Sequence, residues 1–497
     1  MTKQVEGLLL DMVWLDRAAG QPLYRQLDGQ LRAAVLSGRL APGTRLPATR
    51  QLARDLGISR LTVQNSYEQL VAEGFLTSVT GAGTFVAEIP PEDLPPKRPD
   101  PAQNARAGTL GLSERGKAIA GSWAATRIAE TRPFRPGVPA PDLFPMAAWS
   151  RLWAKALHRL GDDLFGYGAA GGYPPLRRAI ANHLVNARGV NCDADQIIVT
   201  AGAQQSFALC ALTLLDPGDL AWGEDPGHAA GRDILLAMGT EMASVAIDEE
   251  GLDIAAGRAE HADPRLIFVT PSHQHPLGVT MSLRRRLELL QYCQRIGAWV
   301  LEDDYDSEFR YSGRPLPALQ GLDEADCVIY AGSFSKVLYP SLRIGYLAVP
   351  RALVEAFCAA QTVLSQGIPL LPQVVLADFM DEGRYAAHIR RMRVAYGERQ
   401  RLLVDCLKSR AAGLLEVQPT DAGMHLMAWL PDGASDLEVC RALWQKGIEA
   451  VPLSIYCARP YPRAGMLLGF TAVQPEQLDR KVDQLVEALS SITISNI

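Results

Sequence analysis

Lys336 is the residue of this chain with the clearest reactive chemistry, because it closes Ser333-Phe334-Ser335-Lys336 directly behind a short β-rich run. An amine after a strand and beside small hydroxylated residues suits imine formation, which needs a reachable, partly neutral nitrogen to attack an aldehyde. Thirty-three residues upstream, Asp303 ends Trp299-Val300-Leu301-Glu302, and Tyr305 follows two places on. Side chains two apart in an extended run face one way, so both can point into one crevice. Arg343, seven residues past the lysine, adds a fixed donor fork for an anion. Singly, each has an ordinary explanation as a surface lysine, a helix-capping aspartate or a surface arginine. Together they point to one site.

Such a site needs a scaffold that brings strand ends together. Beyond about Ala125, short β-rich runs alternate with longer helical ones, at 196–200, 266–270, 298–303, 327–330 and 344–349. The pattern predicts an α/β domain with a mostly parallel sheet, flanking helices and ligand groups at the strand ends.

The beginning of the chain has another character. Leu23, Leu27, Leu31 and Val35 recur at steps of four, which predicts a helix stopped by Gly38, and Leu52 with Leu56 marks a shorter one stopped at Gly57. Ser59 is placed to cap a third helix, with Val63, Tyr67, Leu70 and Val71 inward and Gly74 at its end. The alternating runs 75–79 and 84–87 flank Gly81-Ala82-Gly83 and suit a hairpin. Three helices and a hairpin make a small winged helix-turn-helix domain.

Charge agrees with that reading. The whole chain carries −6 at neutral pH, yet residues 21–87 hold seven arginines against four acids, an excess of three positive charges. Arg39, Arg45, Arg50, Arg54 and Arg60 are opposed only by Asp55 between positions 39 and 60. Arg60, Thr62, Gln64 and Asn65 start the third helix, where side chains meet a groove edge or phosphates. The set favours double-stranded DNA over a merely solvated bundle.

Between these parts, residues 88–101 hold six prolines among mixed charges, which predicts an extended linker. The expected organisation is an extension over 1–20, a winged helix over 21–88, a linker over 89–125 and the large domain over 126–492. No Cys-x-x-Cys or nearby His pair marks a metal or disulfide site among the eight cysteines. No export signal or bilayer-length apolar run is evident either, so a cytoplasmic protein is expected.

The first domain resembles the GntR-type winged-helix family through Pro22-Leu23-Tyr24, Gly38-Arg39-Leu40 and Pro42-Gly43-Thr44-Arg45-Leu46-Pro47. Ser59-Arg60-x-Thr62-Val63, Glu73-Gly74-Phe75-Leu76 and Gly81-x-Gly83-Thr84 continue the match. The resemblance implies DNA contacts from Arg45, Arg50, Ser59, Arg60, Thr62, Gln64, Gly81 and Gly83.

The large domain resembles fold-type I pyridoxal phosphate enzymes, the aspartate aminotransferase-like group, from about Phe134 to Leu489. That resemblance implies pyridoxal 5'-phosphate as cofactor, held on Lys336 as an aldimine. Asp303 would keep the ring nitrogen protonated, and so preserve the ring as an electron sink. Tyr305 would donate to the ring oxygen. Ser333, Ser335 and Arg343 would hold the phosphate, with the amides of Gly202-Ala203-Gln204 at a helix start. Tyr167 resembles the tyrosine that reaches the phosphate from a partner subunit. His228 stands where an aromatic ring commonly stacks on the cofactor. His275, in Ser272-His273-Gln274-His275-Pro276-Leu277-Gly278, stands where aminotransferases place asparagine, which argues against efficient transamination. Arg463 and Arg459 are the candidates for the carboxylate-binding arginine.

The combination of both domains resembles the MocR family of bacterial transcription regulators, also through Thr270-Pro271-Ser272-His273-Gln274 and the run from Glu302 to Tyr311. It implies a homodimeric regulator that senses an amino compound, or the cofactor itself, through Lys336. Two alternatives stay open: a working aminotransferase with an accessory DNA-binding domain, and a DNA-binding protein whose large domain serves only for dimerisation.

Overall fold

The computed structural model describes residues 13–17, 19–88, 111–122, 132–312 and 317–495, and the chain divides into two compact units, 1–111 and 112–497. In the first unit, helices Leu23–Leu36, Thr49–Asp55 and Arg60–Ala72 precede a hairpin of β1 (Leu76–Val79) and β2 (Gly83–Val86). The helix stripes bury Leu27, Leu31, Val35, Val63, Tyr67 and Leu70 in one core with Leu40, Leu46, Leu52, Leu76 and Val86. Ser59 Oγ accepts from the Thr62 amide at 3.1 Å, satisfying one of the amides that a helix start leaves without a partner. Segment 43–46 adds to the hairpin edge, with the Leu46 amide donating to Thr84 at 2.8 Å and Val86 to Thr44 at 2.9 Å. The Tyr67 hydroxyl donates to the Pro47 carbonyl at 3.1 Å and ties the third helix to that segment. The architecture is a winged helix-turn-helix.

The prolines expected to form the linker lie outside the described residues. Within the stretch read as linker, Glu114–Gly121 is helical, with Ser113 accepting from the Gly116 amide at its start.

The second unit is built on an eight-stranded sheet. Its strands are β3 (Ile197–Thr200), β4 (Leu220–Asp225), β5 (Glu241–Asp248), β6 (Gly251–Leu252), β7 (Leu266–Val269), β8 (Trp299–Asp304), β9 (Val328–Ser333) and β10 (Gly345–Ala348), in spatial order β3-β10-β9-β8-β7-β4-β5-β6. The centre, β5-β4-β7-β8-β9, is parallel, while β10 runs antiparallel to both β9 and β3. A four-stranded sheet of β11 (Glu416–Val417), β12 (His425–Trp429), β13 (Val451–Pro452) and β14 (Gly465–Gly469) follows, which the sequence reading did not separate.

The large sheet is covered on both faces, as a parallel sheet requires. Ile198, Leu301, Ile329, Ala331 and Leu347 share a core with Phe207, Leu209 and Leu214 of the helix Ala203–Leu214. Ile197, Val199, Tyr330 and Tyr346 enter a second core, and Ile267, Val300 and Val328 a third. The period of two therefore places Leu301 and Asp303 on one face, and Glu302 and Asp304 on the other. Register then aligns Asp303 with Ala331 on β9, and Gly345 with both Ser333 and Thr200.

The cap yields a direct test. Ser59→Ala leaves the Thr62 amide without its acceptor and lowers the stability of the first unit by about 1 kcal/mol. Urea unfolding followed by far-UV circular dichroism measures it, and an unchanged midpoint contradicts the role given to the hydroxyl.

Candidate functional site

Lys336 lies just past the end of β9. Its Nζ donates to the Gly137 carbonyl at 3.1 Å across 199 residues of sequence. Gly137 has φ +69°, and a Cβ there would stand 2.4 Å from Nζ, so only glycine leaves the amine its place. Gly137 was missed in the sequence reading, although Pro136-Gly137 marks a turn.

Asp303 is 3% exposed, and burial raises its pKa well above the usual carboxylate range. Asp304, Asp306 and Glu224 push it further up, and Lys336 pulls it down. The nearest ring nitrogen, His228 Nδ1, is 3.9 Å from its Oδ2. His228 immediately precedes the helix Ala229–Ala237, and the missing side chain of Gly231 gives its ring room, since a Cβ there would meet Nδ1 at 2.9 Å.

Imidazoles and phenols gather around this point. His275 packs edge-on against His228 at 5.2 Å, Tyr305 at 5.6 Å and Tyr456 at 4.8 Å between centroids, and lies 5.5 Å from His425. Burial holds His275 well below its usual pKa, and moves His425 down to about 4, so both rings are neutral near pH 7. His425 Nε2 meets the Pro276 carbonyl at 3.0 Å. Tyr305 oxygen lies 3.0 Å from His273 Nδ1, and both carboxylate oxygens of Asp306 lie 3.1 Å from that same nitrogen. Glu224 anchors the loop beneath, accepting from Thr270 Oγ1 at 2.6 Å and Gln274 Nε2 at 3.3 Å, and burial pushes its carboxyl up to about 7. His273, Asp306, His425, Glu224 and Tyr456 had been given no role; their neighbours in space lie tens to hundreds of residues away.

The second cluster is an anion cup. Gly202, with φ +98°, precedes the helix Ala203–Leu214, whose first amides point outward. Arg343 is in the left-handed region at φ +51° and lays its guanidinium against Gly202, with Cζ and Nη2 each 3.5 Å from where a Cβ would be. Gly345 packs so closely that its own Cβ would stand 2.8 Å from Gly202 Cα. Ser333 Oγ accepts from the Ser335 amide at 3.2 Å, while Ser335 Oγ is buried with no partner among the described residues. Gln204 Nε2 donates to the Ala230 carbonyl at 3.2 Å, and Ala203 starts the helix. Of the expected residues, Tyr167 stands apart at 83% exposure. Arg459 pairs with Glu260, and Arg463 with Glu416, so both arginines are engaged in surface ion pairs.

In the first unit, Arg39, Arg45, Arg50, Arg54 and Arg60 are all exposed, and none pairs with a carboxylate among the described residues. Arg32, by contrast, is taken up by Asp28 and Glu73. Arg45 Nε lies 3.1 Å from the Cβ position of Gly83, so that wing glycine seats the arginine stem. Ser59 and Thr62 hydroxyls meet at 2.8 Å, Gln64 donates to Glu68 at 2.9 Å, and Gly81 turns the hairpin at φ +79°.

These donors fit pyridoxal 5'-phosphate: an amine for the aldehyde, an acid for the ring nitrogen, and a cup with an unsatisfied buried hydroxyl for the phosphate. Comparisons agree. Residues 145–485 match the family of class I and II aminotransferases, and 23–86 match the bacterial regulatory proteins of the gntR family. The chain is 40% identical, over 97% of each sequence, to the probable rhizopine catabolism regulatory protein MocR of Rhizobium meliloti. It is 30% identical to the pyridoxine biosynthesis transcriptional regulator PdxR of Corynebacterium glutamicum, over 94% of this chain and 95% of that one. Among solved structures, α-aminoadipate aminotransferase LysN from Thermus thermophilus, bound to N-(5'-phosphopyridoxyl)-L-leucine, superposes with a TM-score of 0.71 at 26% identity, covering 77% of this chain and 98% of that one. An amine, an acid and an anion cup on an aminotransferase sheet, in a chain that starts with a winged helix, make this protein a member of the MocR family of regulators, with pyridoxal 5'-phosphate as its cofactor.

Proposed function

We propose that the large unit holds pyridoxal 5'-phosphate on Lys336 and reports an amino compound, or the cofactor itself, to the winged helix, which binds an operator in double-stranded DNA. The observation that carries this reading is the meeting of Lys336, Asp303 and Tyr305 in one buried crevice of a chain whose other unit exposes five arginines that pair with no carboxylate among the described residues. The cofactor supplies an aldehyde that captures amines and a ring that withdraws electrons. Asp303 holds a proton at the ring nitrogen, and Tyr305 donates to the ring oxygen. Ser333, Ser335, Arg343 and the amides of 202–204 hold the phosphate. His228 and His275 line the ring.

Tyr167, exposed on its own chain, is read as reaching the phosphate site of a second copy, which makes the protein a homodimer. With no membrane-length apolar helix among the described residues and DNA as its partner, we place it in the cytoplasm. The relatives' names point to different signals, rhizopine catabolism and pyridoxine biosynthesis, so the effector here is to be found by experiment. The switch needs only unequal affinity: an effector that prefers the DNA-bound or the free state by about 1–3 kcal/mol changes the affinity for DNA 5- to 150-fold.

Two measurements test this. Pyridoxal phosphate added to the protein gives a visible band that Lys336→Ala abolishes; a variant that keeps the lysine-bound band refutes the assignment. On DNA from upstream of its own gene, affinity falls steeply with salt, and Arg60→Ala costs about 1–3 kcal/mol if it meets a base edge. Footprints that neither weaken with salt nor respond to pyridoxal phosphate or amines count against the proposal.

A further inference from the structure

The nitrogen shared by Tyr305 and Asp306 fixes more than a contact. A carboxylate offers only acceptors, and an imidazole nitrogen without hydrogen is also only an acceptor. With both Asp306 oxygens at 3.1 Å, His273 Nδ1 therefore carries the hydrogen. The Tyr305 oxygen, 3.0 Å from the same nitrogen, then meets an N–H and accepts from it. Its own hydrogen is excluded from that direction. The remaining ring nitrogen, His273 Nε2, is buried with no partner among the described residues, as suits a bare lone pair rather than a stranded N–H. Gly423 and Gly278 hold the ring in place from the other side; a Cβ would stand 2.0 Å from its Cε1 at the first and 3.1 Å from Nε2 at the second.

We propose that His273 and Asp306 form a positioning pair that orients the Tyr305 hydroxyl as a hydrogen donor toward the cofactor's ring oxygen, an inference that rests on the roles given above to Lys336 and Tyr305. Without Asp306, Nδ1 can present a bare lone pair that competes for the phenol hydrogen. With it, the donor is aimed before any ligand arrives, so no reorientation is needed when the cofactor binds. Other titratable groups face the same phenol and ring. These are Asp303, Glu224 and Tyr456 around Tyr305, with His275 at 5.6 Å from it and His425 at 5.6 Å from His273.

A pH titration of the visible absorbance of the reconstituted full-length protein reads the effect. A hydrogen donated to the ring oxygen weakens that oxygen's hold on the proton of the lysine nitrogen, so losing the donor raises the midpoint. Tyr305→Phe should raise it by roughly one pH unit, a tenfold change in the proton equilibrium. His273→Phe keeps an aromatic ring but removes both nitrogens, and should move the midpoint in the same direction. Asp306→Asn, which also allows a hydrogen to be donated to Nδ1, should give a smaller shift of the same sign. Tyr305→Phe combined with either change should move no further than Tyr305→Phe alone, because the pair acts through that hydroxyl. The inference is overturned if His273→Phe and Asp306→Asn leave the midpoint where it was, or if their shifts add fully to that of Tyr305→Phe. Should His273→Phe not fold, Asp306→Asn decides alone. A wild-type protein without a visible band, or Lys336→Ala protein that keeps one, is instead the failure of the Lys336 assignment.

Discussion

A carboxyl group set where water hardly reaches it, on a sheet face shared with Leu301, Ile329 and Ala331, is the constraint to which the large unit answers. Burying an unbalanced charge is costly, and Asp303 meets that cost by holding its proton or by facing a cation. Three further acids nearby, Asp304, Asp306 and Glu224, make ionisation harder still. In the role proposed for Asp303, a protonated ring nitrogen against it relieves what burial imposes. The same burial that makes the acid uncomfortable makes it selective for a ligand that arrives with a positive charge.

The neighbouring acids are each settled by their own partners. Asp304, on the opposite face of β8, pairs with Arg188 at 2.8 Å and accepts from the Tyr330 hydroxyl at 2.7 Å. Glu302 accepts from the amides of Leu319 and Gln320. Glu224 is held by Thr270 and Gln274, and Asp306 by His273. Asp303 differs, since the cation that draws it toward ionisation is Lys336, with the His228 ring 3.9 Å away. The run of acids from Glu302 to Asp306 therefore divides by sheet geometry into structural acids and one that faces the crevice, although composition makes them look alike.

Much of this was legible in the chain before any coordinates, and the division follows sequence distance. The first unit is written in local signals: steps of four for Leu23 to Val35, Ser59 before a helix, Gly81 and Gly83 in a turn. Each corresponds to an observed element within a few residues. In the large unit, five strands announced themselves through β-branched runs, whereas β4, Leu-Ala-Trp-Gly-Glu-Asp, carries no alternation because both its faces are covered. The lysine, acid and arginine were visible because they lie within about forty residues of one another. Gly137 was not, because what makes it necessary is an amine 199 residues away. His273 and Asp306 stood inside motifs already singled out, yet their pairing is a property of the loop after β7 meeting the end of β8.

The lining also bears on what the crevice is for. An enzyme gains rate from groups that bind the transition state more tightly than the ground state, whereas a sensor needs only a ligand that distinguishes two states. Here His275 and His425, both neutral near pH 7, cluster with Tyr305 and Tyr456 in the crevice. The arginines first expected to seize a substrate carboxylate, Arg459 and Arg463, are engaged with Glu260 and Glu416. Neutral imidazoles and phenols each donate or accept as the partner demands, so they reward a polar ligand for fitting and stay put once it is bound. On the reading proposed above, retention of this kind suits occupancy read at a distance, because the signal then follows how much amine is present.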